Sequence, residues 1–365
     1  MPSSRRNFLK KGASLAAIST VTPASFAILP PKPKPVKEDF MQMCMSYFFG
    51  FEENKMAYSR QMGVTGAVTS ANPGMAGLPG KKPWDLEVLT AIRDRFAREG
   101  LQFRVLEGPP SLDKTKLGLP GRDEEIDHFI TLIQNLPKAG VDTICYNWMP
   151  VINWHRTDNE RKGRGDALMT AFDYESVKDQ PPTEYGEFSP ESMWNNLEYF
   201  LKAVVPEAEK AGVKLALHPD DPPVSKIRGI SRIMTSVKAF KKLIDLYPSP
   251  SNGLTFCQGT FATMGEDIPA AIRYFGKKGK IFFVHFRDVQ GGPENFTECF
   301  HDNGKTDMYE AMKAYIEVGF RGPVRPDHVP TMANDSNSHP GYSVLGKLFA
   351  VGYIRGLMEA AAKES

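Results

Sequence analysis

Histidine, cysteine and aspartate are the side chains that hold divalent metals, and this chain carries four of them in separate short motifs. They are His218 in LALHPDDPP, Cys257 in FCQGT, His285 in FVHFRDV and Asp327 in RPDH. Two imidazoles, a thiolate and a carboxylate neutralise a divalent cation, and the thiolate by itself favours a soft ion such as zinc. Such an ion can hold a carboxylate and its neighbouring hydroxyl, and can stabilise the charge that develops when the proton alpha to the carboxylate leaves. Removal of the adjacent hydroxyl then needs an acid. His328, beside Asp327, and Tyr342, in NSHPGYS, are the candidates for proton transfer. Taken one at a time these residues have plainer readings. A lone histidine near a strand end is more often structural, a lone cysteine is more often a small buried hydrophobe, and Tyr342 has a packing role as its rival reading.

The motifs matter only if the fold gathers them. After residue 37 the chain alternates short β-rich runs with longer segments of helical period. The runs are MCMSYFF (43–49), GVTGAVTS (63–70), LQFRVLEG (101–108), DTICYNWMP (142–150), VKLALH (213–218), NGLTFCQG (252–259), KIFFVHFRDV (280–289) and GPVRPDH (322–328). Between them lie amphipathic segments such as WDLEVLTAIRDRFAREG and SRIMTSVKAFKKLIDLY, and a long polar insertion spans 151–188. Strands alternating with helices predict parallel pairing through right-handed crossovers. Eight repeats predict a closed (β/α)8 TIM barrel, an α/β fold, and no G-x-G-x-x-G follows any strand to suggest a dinucleotide fold. Barrel chemistry sits at the C-terminal strand ends. The four candidate ligands fall at the ends of four consecutive strands, about 4.8 Å apart, so their side chains can converge on one ion at about 2.0–2.3 Å. The prolines of HPDDPP stop the fifth strand and leave Asp220 and Asp221 facing the mouth.

The 365 residues carry a formal charge of +2. No strongly basic face follows from that balance, so nucleic acid is not an expected partner. No apolar run reaches the ~18 residues of a membrane span. Arg5 and Arg6, followed by Phe8, Leu9 and a short weakly apolar stretch, predict a twin-arginine export signal over 1–27 and a periplasmic location. A Pro/Lys-rich tether follows at 28–37, and one barrel domain fills 38–365. The four cysteines are widely and irregularly spaced, which predicts no structural disulfide.

LALHPDDPP, FCQGT, FVHFRDV, FHDNGKTDMY, RPDH and HPGYSVLGKL, in this order, resemble the D-mannonate dehydratases. YNWMPVINWHRTD (146–158) adds a further match, and the resemblance covers most of 140–358. It implies a xylose isomerase-like barrel that dehydrates D-mannonate, a small sugar acid of hexuronate catabolism, to 2-keto-3-deoxy-D-gluconate. It implies Mn2+ as the usual ion, with Fe2+, Zn2+ and Co2+ as alternatives, and a homodimer as the assembly to test. Carried over by motif, the ligands are His218, Cys257, His285 and Asp327, and the catalytic pair is His328 and Tyr342. Arg156 in WHRTD either grips a substrate carboxylate or forms a surface ion pair. Asp221 belongs with the substrate, and Asn303 in HDNG either lines the mouth or shapes a turn with Gly304. The first three strand ends depart from the family pattern. SYFFG (46–50) lacks the expected arginine, TSANPGMAGLPGKKPW (69–84) lacks the paired histidines, and EGPPSLDKTK (107–116) replaces an ESVP-like segment. Export is also foreign to the family. A different sugar acid, a metal-dependent isomerase or epimerase, and a non-catalytic periplasmic sugar-acid binder are therefore the competing expectations.

Overall fold

The computed structural model describes residues 41–364; the segments expected to be an export signal and a tether lie outside the described residues. The eight β-rich runs form the eight strands of a closed parallel barrel: β1 Gln42–Ser46, β2 Gly66–Thr69, β3 Gln102–Glu107, β4 Thr143–Asn147, β5 Lys214–His218, β6 Asn252–Cys257, β7 Ile281–Phe286 and β8 Pro323–Pro326. Each pairs with its neighbours in sequence, and β8 closes on β1 with Met43 opposite Val324. Strands covered on both faces read as continuous apolar runs, and every residue of β2, β6, β7 and β8 is buried.

The outer helices take their ends from local chemistry. In the helix Pro190–Ala211, Ser189 Oγ accepts the Ser192 N–H at 3.1 Å, Pro190 fills the first position, and Gly212 ends the helix at φ +69°. Its apolar stripe buries Leu197, Phe200, Leu201 and Val204 against the barrel.

Two segments depart from the sequence expectation. SRIMTSVKAFKKLIDLY is helical only over Val237–Leu246. Ser236 caps that helix by accepting from Ala239 N. Upstream, Met234 N donates to Asp220 Oδ2 at 2.9 Å and Asp220 N donates to Met234 O at 3.0 Å, which ties the preceding loop to the end of β5. Asp220 is therefore fully buried and does not face the mouth.

The second departure is a four-stranded antiparallel sheet built from two loops. The insertion 151–188 supplies Asp158–Lys162 and Leu168–Asp173. The chain after β7 supplies Val289–Gly292 and Asn295–Glu298. KIFFVHFRDV is thus two strands, and Arg287 and Asp288 make the bend between them. Asp288 accepts from Val289 N, Thr306 N and Thr306 Oγ. Gly304 lies so close that a Cβ there would sit 2.2 Å from the Asp288 carboxyl carbon, so the HDNG loop needs glycine. Leu168 also bridges to Thr331, which joins this sheet to the segment after β8.

Candidate metal and catalytic site

His218 and Cys257 are the last residues of β5 and β6, and His285 is the last but one of β7. Cys257 stands opposite His285 in the β6–β7 register, and His285 stands opposite Arg325 in β7–β8. His218 Nδ1 lies 2.7 Å from Pro219 O, which fixes the proton on Nδ1 and turns the Nε2 lone pair inward. That Nε2 lies 3.2 Å from His285 Nδ1. Asp327 Oδ2 is 3.6 Å from His285 Nδ1 and 3.7 Å from Cys257 Sγ. Donors that hold one ion at about 2.0–2.3 Å stand roughly 3.1–3.8 Å from each other; His218, Cys257 and His285 form a group that could hold a divalent cation, and Asp327 approaches two of its members. The donor types fit as well, with His218, Cys257 and His285 each offering an atom to a common point.

The surrounding charges keep the two anionic donors, Cys257 and Asp327, ionised. Burial alone raises the Cys257 thiol, but the Arg287 guanidinium and His218 outweigh it and draw it down to about 5. Asp327 is held far below the usual carboxylate range, since His328, Arg325 and His285 together overcome its desolvation. Arg287 Nε and Arg325 Nη1 grip its two oxygens at 2.7 and 2.8 Å. On its far side His285 faces Glu107, with Nε2 3.3 Å from Oε1, the side from which a carboxylate can support a metal-binding imidazole. Arg325 holds Glu107 with two bonds of 2.8 and 3.0 Å.

A second buried group stands beside the first. His328 Nδ1 lies 2.7 Å from Glu298 Oε1, and its Nε2 lies 3.1 Å from the Tyr342 hydroxyl. The Glu298 carboxylate fixes the proton on Nδ1 and leaves Nε2 to exchange one. Tyr342 is brought there by a bridge to Val329 and by Gly341 at φ +84°, where a Cβ would sit 3.2 Å from the His328 ring. Burial, only partly opposed by Arg325, pushes the Tyr342 phenol well above its ordinary value, so it keeps its proton at neutral pH. Asp221, Glu298 and His328 also offer converging donor atoms. There, however, the cationic places are taken by arginine. Arg156 reaches Asp221 and Glu298 at 2.7 Å each, and Arg287 reaches both at 2.8 Å. Arg287 thus links Asp327 on the metal side to Glu298 on the proton-transfer side.

A cavity of about 230 Å3 opens over these residues, lined by His218, Asp221, His285, Asp327, His328 and Tyr342 among others. Cys257 lies beneath it, fully buried. Arg156 is buried with its guanidinium committed to the two carboxylates, and it lies outside the cavity lining. Asn303 also lies outside that lining, in a turn where its N–H donates to Phe300 O and its carbonyl accepts from Gln290. All four cysteines are free and buried.

The sequence reading did not single out Glu107, Arg287, Arg325 and Glu298. Arg287 and Arg325 each lie two residues from a ligand inside a quoted motif, and Glu107 closes the third run. Those positions were the available signal. Glu298 gave none, because its strand belongs to the unforeseen sheet.

The family model described as D-mannonate dehydratase (UxuA) matches residues 41–187 and 182–365. Mannonate dehydratase 2 of Halalkalibacterium halodurans is 33% identical over 351 residues, covering 88% of this chain and 100% of that protein. Mannonate dehydratase of Streptococcus agalactiae is 36% identical over 315 residues, covering 79% and 90%. Among solved structures, mannonate dehydratase from Streptococcus suis superposes with a TM-score of 0.81 at 32% identity, covering 89% of this chain and 94% of that one. An L-ribulose 3-epimerase, at 13% identity and a TM-score of 0.57, shares the fold alone.

Proposed function

The chain belongs to the D-mannonate dehydratase family of metal-dependent hydro-lyases, and on that premise we propose that it removes water from an aldonic acid, D-mannonate being the first candidate. The product from D-mannonate is 2-keto-3-deoxy-D-gluconate. One observation carries the reading: the His328–Tyr342 pair lines the same cavity as the inward-facing atoms of His218, His285 and Asp327. A divalent ion held by His218, Cys257, His285 and Asp327 supplies a Lewis acid that neutralises the charge developing next to the substrate carboxylate.

The remaining work falls to this chain's own side chains. His328 Nε2 takes the proton from C2, and Glu298 at Nδ1 stabilises the imidazolium that results. Tyr342 gives its proton to the departing C3 hydroxyl, which leaves as water. The C2–C3 enol then shifts its proton to C3 and becomes the 2-keto acid. The proton on His328 passes along the 3.1 Å contact to the Tyr342 oxygen and restores both groups. Asp221 holds Arg156 and Arg287 in place and presents its edge to the cavity.

The resemblance supports Mn2+ as the ion, with Fe2+, Zn2+ and Co2+ as alternatives. The Arg5–Arg6 segment supports action in the periplasm. The decisive experiment is keto-acid formation from D-mannonate by purified protein with added Mn2+, with and without a chelator. Expected is metal-dependent product with D-mannonate or with another aldonic acid in a small panel. Metal-loaded protein that converts none of them overturns the proposal. Cys257→Ser lowers bound metal and leaves the unfolding transition in place; unchanged metal content removes Cys257 from the ligand set.

A further inference from the structure

A second cavity, of about 240 Å3, adjoins the first, and Gly108, Tyr146, Asn147, Met149 and Asn153 line both. Lys116, from the short helix Asp113–Leu117, lines the second cavity and is 6% exposed. Its Nζ donates to Asn147 Oδ1 at 3.1 Å. Among the described residues it forms no ion pair with a carboxylate, although burial is opposed from farther off by Asp113, Asp220 and Glu125. Asp113 lines the same cavity, but its Oδ1 already accepts the Val151 N–H at 3.0 Å. An ammonium has three donors, so two remain for a ligand. Tyr146 lies alongside, but its ring turns away from the mouth to pack on Phe129 and Phe200 of the outer helices, which leaves Lys116 as the group with donors to spare. Buried polar groups are normally paired, and leaving them unpaired is costly.

The position of Lys116 says what it meets. Asn147, which holds Lys116, is the register partner of His218 across β4–β5. Neighbouring strands lie about 4.8 Å apart, so the Lys116 pocket begins about one strand away from a metal donor. The dehydration uses only the first three carbons of a sugar acid and leaves the remainder to be recognised elsewhere. Resting on the reading above, we propose that Lys116, held by Asn147, forms the subsite for the far end of the sugar-acid chain, binding its terminal oxygen atoms and so setting which acid is dehydrated. The oxygens belong either to the hydroxymethyl group of an aldonate or to the second carboxylate of an aldarate.

The test uses the manganese-loaded protein and acids that lack the 3-hydroxyl and so cannot lose water. Titration calorimetry compares a 3-deoxyhexonate, the corresponding 3-deoxyhexarate and the four-carbon 2,4-dihydroxybutyrate. A hydrogen bond to a charged donor separates affinities by about tenfold or more. The six-carbon acids are therefore expected to bind at least about tenfold tighter than the four-carbon one. Lys116→Met should reduce that advantage to about twofold while leaving the four-carbon affinity in place. A larger loss for the hexarate assigns the carboxylate, and equal losses assign the hydroxymethyl group. Should Lys116→Met fail to fold, Lys116→Gln carries the test, because its amide can still donate to Asn147 Oδ1 while the charge is gone. No six-carbon advantage in the natural protein, or an advantage unchanged in the variants, overturns the subsite. These ligands report binding without dehydration. Intact discrimination with no keto acid formed from any aldonate sinks the dehydratase reading alone, and the reverse result sinks the subsite alone.

Discussion

The ends of β5 to β8 and the ends of β1 to β3 face each other across one cavity and are built on different terms. On the first side every strand hands a buried or half-buried polar side chain to one cluster, with neighbouring donor atoms 3.2 to 3.7 Å apart. On the second side aromatic rings predominate after β1. Phe48 meets Tyr342 edge-on at 5.7 Å, and Phe49 stacks on His339 at 3.6 Å while staying 46% exposed. Glu107, at the end of β3, crosses to the first side through His285 and Arg325. The contrast teaches which half is constrained by distance and which by shape. A metal needs its donors at set lengths, so one donor cannot be exchanged without loss. A cavity wall needs volume and polarity, which many residues can supply.

The contrast is tested hardest by His285→Ala. With one imidazole gone, bound metal should drop below about a tenth of the natural content, and keto-acid formation should fall by about a thousandfold or more. Metal analysis and the product assay read both. Full metal content with full activity would erase the distinction between the two sides. Glu107→Gln probes the point where the second side reaches into the first. Despite its burial, Arg325 and His285 hold the Glu107 carboxyl well below its ordinary range. The amide keeps the shape but leaves Arg325 without its two-bond partner. We expect a stability loss of about 3 kcal/mol by denaturant titration and metal binding weaker by about 10–100-fold. Unaltered metal affinity would confine the function of β1–β3 to shape.

The same division explains what the sequence disclosed. The barrel was legible because each strand carries its own apolar run and each helix its own period. The candidate donors were legible because His218, Cys257, His285 and Asp327 each close or follow such a run. His328 and Tyr342, read as a proton-transfer pair, stand 3.1 Å apart. What stayed hidden depends on pairing between distant segments. Glu298 reaches His328 only because Asn295–Glu298 pairs with Leu168–Asp173, and no local pattern announces a sheet assembled from two loops. The helix period of SRIM lost to two bonds between Met234 and Asp220, a residue in another motif, one through the Asp220 carboxylate and one through its N–H. Arg156 has the residue type for gripping a substrate, yet its guanidinium is committed to Asp221 and Glu298, which a linear reading cannot know.

Dense burial on the metal side has a pH signature. His301, in the loop after Asn295–Glu298, is fully buried, and desolvation together with Lys347 draws its imidazole down to about 4. In the unfolded chain the group titrates near 6.5. Its folded value is depressed, so the unfolded state takes up the proton first as pH falls. The stability it contributes is complete above about 6.5 and is lost as pH drops toward about 4, a change on the order of 3 kcal/mol. His301→Leu should flatten the stability profile in that window relative to the natural protein, as read by denaturant titration at a series of pH values. Identical profiles would mean that burial on this side does not control the histidine.

The smallest effect is expected on the other side, from Phe49→Ala. The Phe49 ring stacks on His339 and meets Tyr342 at 5.5 Å, but half of it already faces solvent. An aromatic pair adds about 0.5–1.5 kcal/mol beyond area burial, and exposure places this one at the low end. Stability should therefore change by no more than about 1 kcal/mol and kcat/KM by no more than about threefold. Tyr342 stays in register through its bridge to Val329, its N–H to His339 O and its contact with His328, none of which involves Phe49. A hundredfold loss in kcat with KM unchanged would show that the ring positions Tyr342 for proton transfer. The side built on shape would then carry a geometric constraint as strict as that of the metal donors.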